Sequence, residues 1–191
     1  AVFDLEGTVV ASSLVTQYLS VQRRLLAPGL WPAEWVDLLR NARVYLDAER
    51  RDRGEFVRSF SRRWAGTRLA DVERVVSGSW GEHLRKAVRP GALARISEHR
   101  AAGHRTVLVT GSLEVFASPL ADLFDEVVGS RMEVDGGVLT GYLATPPLVD
   151  EARAQWLKGS AARPGLDLSR SHGYGDSVPD ARWLGLMGHQ D

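Results

Sequence analysis

A short apolar run at the head of the chain, AVFD, is separated from every later strand-like run by almost eighty residues of helical periodicity. From Ser12 to about Arg89 apolar residues recur at intervals of three and four, which is the mark of amphipathic helices. SLVTQYLSVQRRLL reads as one helix ended by APG, PAEWVDLLRNARVYL as a second, RGEFVRSFSRRW as a third and LADVERVVSGSWGEHL as a fourth, weakened by its glycines. After RPG the texture becomes alternating helix and strand. The helices are ALARISEHRAAG, LEVFASPLADLF, DEARAQWLKGSAA and DARWLGLM, and the strands are RTVLVT, DEVVGS and SHGYGD. RMEVDGGVLTGYL alternates on both sides of Asp-Gly-Gly and predicts a hairpin. Repeated strand–helix units predict an α/β fold, a parallel sheet with helices on both faces. The expected organisation is a core of residues 1–11 and 90–191, interrupted over 12–89 by a small helical bundle.

Several function classes drop out on composition. The 191 residues contain no Cys, which excludes disulfides, thiolate metal sites and a Cys nucleophile, and fits a reducing, cytoplasmic setting. Formal net charge is zero, so no global field draws in nucleic acid or a membrane surface. No run approaches the ~20 apolar residues that span a bilayer. The charge is uneven, however. Residues 11–90 hold 15 Lys and Arg against 9 Asp and Glu, and the remainder holds 9 against 15. The chain begins without Met, inside a strand, so a piece of a longer multidomain protein is expected.

Three predicted strands end in polar residues: Asp4, then Thr110-Gly111-Ser112, then Gly175-Asp176-Ser177. Carboxyl ends of parallel strands share one edge, where ligands bind. Thr110 or Ser112 alone would read as a helix cap. Asp4, Asp176 and Asp180 together do not, because clustered carboxylates repel one another unless a cation holds them.

FDLEGT, VLVTGS and GYGDSVPD resemble motifs one, two and four of the haloacid dehalogenase-like phosphatase superfamily, in order and in spacing. The helical insert after motif one resembles the cap of its phosphoserine-phosphatase-like branch, subfamily IB. The resemblance implies a Rossmann-like core and a Mg2+-dependent phosphomonoester hydrolase acting on a small-molecule substrate. By that resemblance Asp4 is the nucleophile that becomes an aspartyl-phosphate, and Glu6 is the general acid/base. Thr110, Gly111 and Ser112 bind the phosphoryl group, and the metal set is Asp4, Glu6, Asp176 and Asp180. Motif three is a basic residue some twenty-odd positions before the motif-four acid. Arg153 lies 23 residues before Asp176 and Lys158 lies 18 before it, and Arg153 is favoured.

Glu6 departs from the family's Asp. Its extra methylene moves the carboxyl by about 1.5 Å, and a displacement of about 1 Å can cost on the order of 10²-fold in rate. Three readings stay open: a pocket enlarged to suit Glu, a slow phosphatase, or a catalytically weak accessory module that binds a phosphorylated ligand within a larger protein. In the insert, DAERRDRGEF is the segment expected to face the crevice, with Gly54 breaking the helices there. The insert's aromatic residues are expected in the bundle core. The five histidines have no metal-ligand spacing and are read as surface or turn residues.

Overall fold

In the computed structural model, which describes residues 1–161 and 166–190 (for Val178 its backbone alone), the chain opens with β1 (Val2–Asp4). Ser13 caps α1 (Leu14–Leu25) through a capping box with Thr16, satisfying backbone donors that the first turn leaves unpaired. α2 (Trp31–Arg51), α3 (Arg53–Ser61), α4 (Leu69–Val75) and α5 (Gly81–Lys86) complete the insert. The connectors into and out of it are stitched together, with Val10 bridged to Val88 and the Arg89 N–H donating to the Val9 carbonyl at 2.9 Å.

The α/β portion continues with α6 (Pro90–Ala101), β2 (Val107–Leu113), α7 (Glu114–Ala117), β3 (Glu126–Ser130), β4 (Met132–Asp135) and β5 (Val138–Leu143). It ends with α8 (Asp150–Ala161), β6 (His172–Tyr174), α9 (Ala181–Leu184) and β7 (His189–Gln190). The main sheet is parallel throughout, in the order β3-β2-β1-β6-β7. β4 and β5 form the expected antiparallel hairpin. β1 is central. The chain leaves it for β2 on one side and reaches β6 on the other, so its carboxyl end is the topological switch point where a crevice opens.

Several local expectations are corrected. The break between α2 and α3 belongs to Asp52, which is extended (φ −159°, ψ 111°) and accepts from the Gly54 N–H at 2.7 Å; Gly54 lies buried inside the first turn of α3. The fourth helix is divided, because Gly78 leaves helical geometry between α4 and α5. The last helix is a single turn, and the two-residue strand β7, which the sequence reading does not contain, follows it. α8 was expected to run to Ala162, which lies outside the described residues. Among the insert's aromatics Phe56, Phe60, Trp64 and Trp80 are core, whereas Trp35 is 39% exposed. The histidines are not simply surface residues, since His99 is buried.

One apolar core runs from the sheet into the insert, joining Phe3 and Leu108 to Phe60, Trp64 and Trp80. Trp64 packs against Phe116 with ring centroids 5.3 Å apart, and the Trp80 indole N–H donates to the Phe116 carbonyl at 3.2 Å. A partly buried polar cluster locks α2 to its neighbours: Arg63 pairs with Glu34 and with the exposed Asp37, and the Tyr18 hydroxyl donates to Glu34. Among the described residues no helix is long and apolar enough to cross a membrane.

Candidate active site

The sheet brings the polar strand ends together. β1 is buried along its length, as a central strand flanked on both faces must be, and it carries Asp4 to the switch point. β2 runs on through Gly111 and Ser112 to Leu113 rather than ending at Thr110. Its pairing with β3 shifts register between Val109 and Leu113, an irregularity of the kind that re-aims side chains beside sites. α8 delivers Arg153 and the loop after β6 delivers Asp176 and Asp180.

Asp4 is 4% exposed and forms an ion pair with Arg153, whose Nη1 lies 2.7 Å from its Oδ1. The same Nη1 lies 3.0 Å from Asp180 Oδ1. Burial pushes the Asp4 carboxyl up to about 8, Glu6 and Asp180 add to the rise, and Arg153 opposes it. Burial would also raise Asp180, but the Ser177 hydroxyl, the Trp183 indole and Arg153 hold it below the ordinary aspartate value. Lys158 is exposed. Five residues from Arg153 on a helix of 3.6 residues per turn, it projects from another face.

One carboxylate oxygen from each of Asp4, Asp176 and Asp180 lies within 4.8 Å of the others. This donor set consists of hard oxygens, two of the three acids are buried, and burial disfavours the Asp4 anion; all three facts suit a small divalent cation. Gly7 (φ +84°) makes room for the third acid. A Cβ at this position would stand 2.0 Å from Asp176 Oδ2.

Glu6 does not join that trio. Both of its carboxylate oxygens accept from the Thr110 hydroxyl, at 2.9 Å each, and Oε1 also accepts from the Gln17 amide at 2.9 Å. Thr110 in turn accepts from the Ser112 N–H at 3.0 Å. The Ser112 amide, expected to point at a phosphoryl group, is therefore engaged within the turn. Gln17, fully buried on α1, is a site residue that the sequence reading missed. Its one signal is position, on the first turns of the helix that follows FDLEGT.

The insert supplies a roof. A cavity of about 270 Å3 is lined by Glu6, Gly111 and Ser112 from the core and by Glu49, Arg53 and Phe56 from α2 and α3. Most of the other cap arginines are engaged elsewhere: Arg50 with Asp47, Arg51 with Glu55, Arg58 with Asp52, and Arg62 over the Tyr142 ring. A larger cleft of about 450 Å3 between α4, α7 and the hairpin is lined mainly by apolar side chains such as Trp64, Val72, Leu113 and Phe116, away from the acids.

Comparison with known proteins agrees with this fold. A family model for haloacid dehalogenase-like hydrolases matches residues 1–185. The chain is 29% identical over 202 residues to a Streptomyces azureus protein named for inhibition of morphological differentiation, covering 98% of this chain and 69% of that one. It is 29% identical over 189 residues to the phosphoserine phosphatase SerB2 of Mycobacterium tuberculosis, covering 98% of this chain but 42% of that one. A solved phospho-aspartyl intermediate analogue of phosphoserine phosphatase superposes with a TM-score of 0.66 at 19% identity, covering 99% of this chain and 83% of that one. With motif order, sheet topology and helical insert all in place, the chain belongs to the haloacid dehalogenase-like hydrolases.

Proposed function

We propose that this chain hydrolyses small phosphomonoesters through an aspartyl-phosphate on Asp4. The observation that carries the reading is the convergence at the switch point of Asp4, Arg153 and Thr110 with the acids Asp176 and Asp180. Asp4, Asp176 and Asp180 would hold Mg2+, which supplies positive charge against the repulsion between a phosphate dianion and the attacking carboxylate. Arg153 favours the anionic, nucleophilic form of Asp4, offsetting what burial does to it. A carboxylate oxygen of Asp4 attacks phosphorus, forming the Asp4–phosphoryl bond as the ester P–O bond breaks. Glu6, as the acid, gives its proton to the departing alkoxide. As the base, it then takes a proton from the water that attacks phosphorus, releasing inorganic phosphate and restoring Asp4.

The Thr110 hydroxyl has one proton, and Glu6 holds it. Phosphoryl binding therefore requires Thr110 to turn its proton from Glu6 to the substrate, which leaves Glu6 held by Gln17. The second reading, a ligand-binding module with slow turnover, rests on Glu6 standing where the family has Asp. Glu49 and Arg53 roof the cavity with opposite charges, which suits a leaving group bearing both an ammonium and a carboxylate. Phosphoserine is accordingly the first substrate to test. The lack of Cys is in keeping with work in the reducing cytoplasm.

The experiment is phosphate release from phosphoserine, phosphothreonine, glycerol phosphate and p-nitrophenyl phosphate, with Mg2+ and with EDTA. Mg2+-dependent release that vanishes in Asp4→Asn is expected. Undiminished turnover by Asp4→Asn would overturn the covalent route. Inertness toward all four esters, together with a rise in melting temperature on adding a phosphate analogue, would favour the binding module.

A further inference from the structure

Four of the five histidines gather at the opposite edge of the sheet from the acids. His99 lies in the last turn of α6, His104 precedes β2, and His172 and His189 open β6 and β7. These are the amino ends of parallel strands, whereas the candidate active site occupies the carboxyl ends. The two clusters are separate.

The rings are close and ordered. The Nδ1 atoms of His99 and His104 are 2.8 Å apart. His172 lies 4.7 Å from His99 and 6.0 Å from His104 between ring centroids, and His189 stacks on His172 at 4.4 Å. One ring nitrogen from each of His99, His104 and His172 falls within 4.8 Å of the other two. On the far side of His99, Nε2 lies 2.9 Å from the Tyr174 hydroxyl. That contact fixes the ring, and when Nε2 carries the proton, Nδ1 presents its lone pair to the cluster. An outer partner of this kind is how protein metal sites set the tautomer of a histidine ligand.

We infer that His99, His104 and His172 form a second metal site, selective for an imidazole-preferring divalent ion such as Zn2+, Ni2+ or Cu2+ rather than Mg2+. Three imidazoles with no carboxylate among them suit those ions and not a hard alkaline-earth cation. Two nitrogens each about 2.0–2.1 Å from Zn2+ stand roughly 3.3 Å apart at a tetrahedral angle. The 2.8 Å pair therefore needs to open by about half an ångström. Access is graded: His99 is buried, His172 half-buried, and His104 and His189 exposed, so an ion can enter from solvent. Such an ion would tie α6, β6 and the strand β2 together at the base of the sheet.

The test uses the untagged full chain, with Zn2+ alone and Ni2+ alone as titrants in calorimetry and thermal unfolding, and Cu2+ in electron paramagnetic resonance. One equivalent is expected to bind with a rise in melting temperature. Cu2+ is expected to show hyperfine coupling to several nitrogens, and both signals should persist in Asp176→Ala. His104→Ala and His172→Ala, whose side chains reach solvent, should each weaken binding at least about tenfold, whereas His83→Ala, outside the cluster, should not. Saturable binding that survives the His104→Ala/His172→Ala double variant, or that disappears in Asp176→Ala, would overturn the site. So would Cu2+ spectra with oxygen-only coordination, or the absence of saturable binding.

Discussion

Gly7→Ala separates two roles that one glycine fills at the candidate active site. The backbone there has φ +84°, a region that costs a residue with a Cβ roughly 1–2 kcal/mol. The added methyl would also stand 2.0 Å from Asp176 Oδ2 and 2.6 Å from Oδ1. To regain an ordinary contact of at least 3.4 Å, the nearer oxygen must retreat by about 1.4 Å. Asp176 is exposed and free to swing, so the clash itself costs little stability. It costs function instead, because a shift of about 1 Å in a reacting constellation is worth on the order of 10²-fold. The variant should lose about 2–8 °C in melting temperature, at ~2–4 °C per kcal/mol for a chain of this size. It should lose about a hundredfold in phosphate release and most of any stabilisation by Mg2+. In an Asp176→Ala background the thermal loss should persist undiminished, since strain remains when the clash is gone. Activity within threefold of the parent, or a thermal loss that vanishes in the Asp176→Ala background, would refute the reasoning.

Two further perturbations bear on the site and on the scaffold. Glu6→Gln should lower turnover of an alkyl phosphate by ~10²–10⁴-fold, and with p-nitrophenyl phosphate it should give a burst followed by slow turnover. If Glu6→Asp instead raises activity tenfold or more, the natural residue impairs the enzyme. At the base of the sheet, Asp125 accepts from the Thr106 N–H at 2.7 Å and from its hydroxyl at 3.0 Å, and these bonds hold its carboxyl below the ordinary value. A group depressed in this way stabilises the fold above its unfolded value of ~3.9 and loses that contribution as pH falls through the folded value. Asp125→Asn should therefore melt earlier than the parent at pH 7, with the gap closing in strong acid, and a gap that is constant with pH would contradict this.

The legible parts of the molecule are those where a local pattern and a tertiary rule coincide. Asp4 ends a short apolar run, and parallel strands must align their carboxyl ends, so its meeting with Asp176 was readable across more than 170 residues. Arg153 and Lys158 could be ranked by spacing, and the helix geometry explains their separation in space: one faces the sheet edge and the other solvent. Gln17 was not readable. A glutamine on an amphipathic helix carries no mark of its partner, and its engagement of Glu6 depends on how α1 leaves the connector after β1. The histidines at 99, 104, 172 and 189 are dispersed in the chain, and the sheet order alone brings them together. β7, at two residues, is too short to leave a periodicity. At the α2–α3 break the glycine drew the eye, but the aspartate two positions earlier ends one helix and caps the next.

Trp64 and Trp80 fasten the helical insert to Phe116, on the element that directly follows β2, and the connectors at Val10 and Val88 are bridged at the insert's root. Nothing in that arrangement resembles a hinge with a loose leaf. On the function proposed above, a roof fastened in this way would act as a sieve of fixed mesh. A chamber of about 270 Å3 would then judge a substrate on girth, admitting a head group and refusing a polymer.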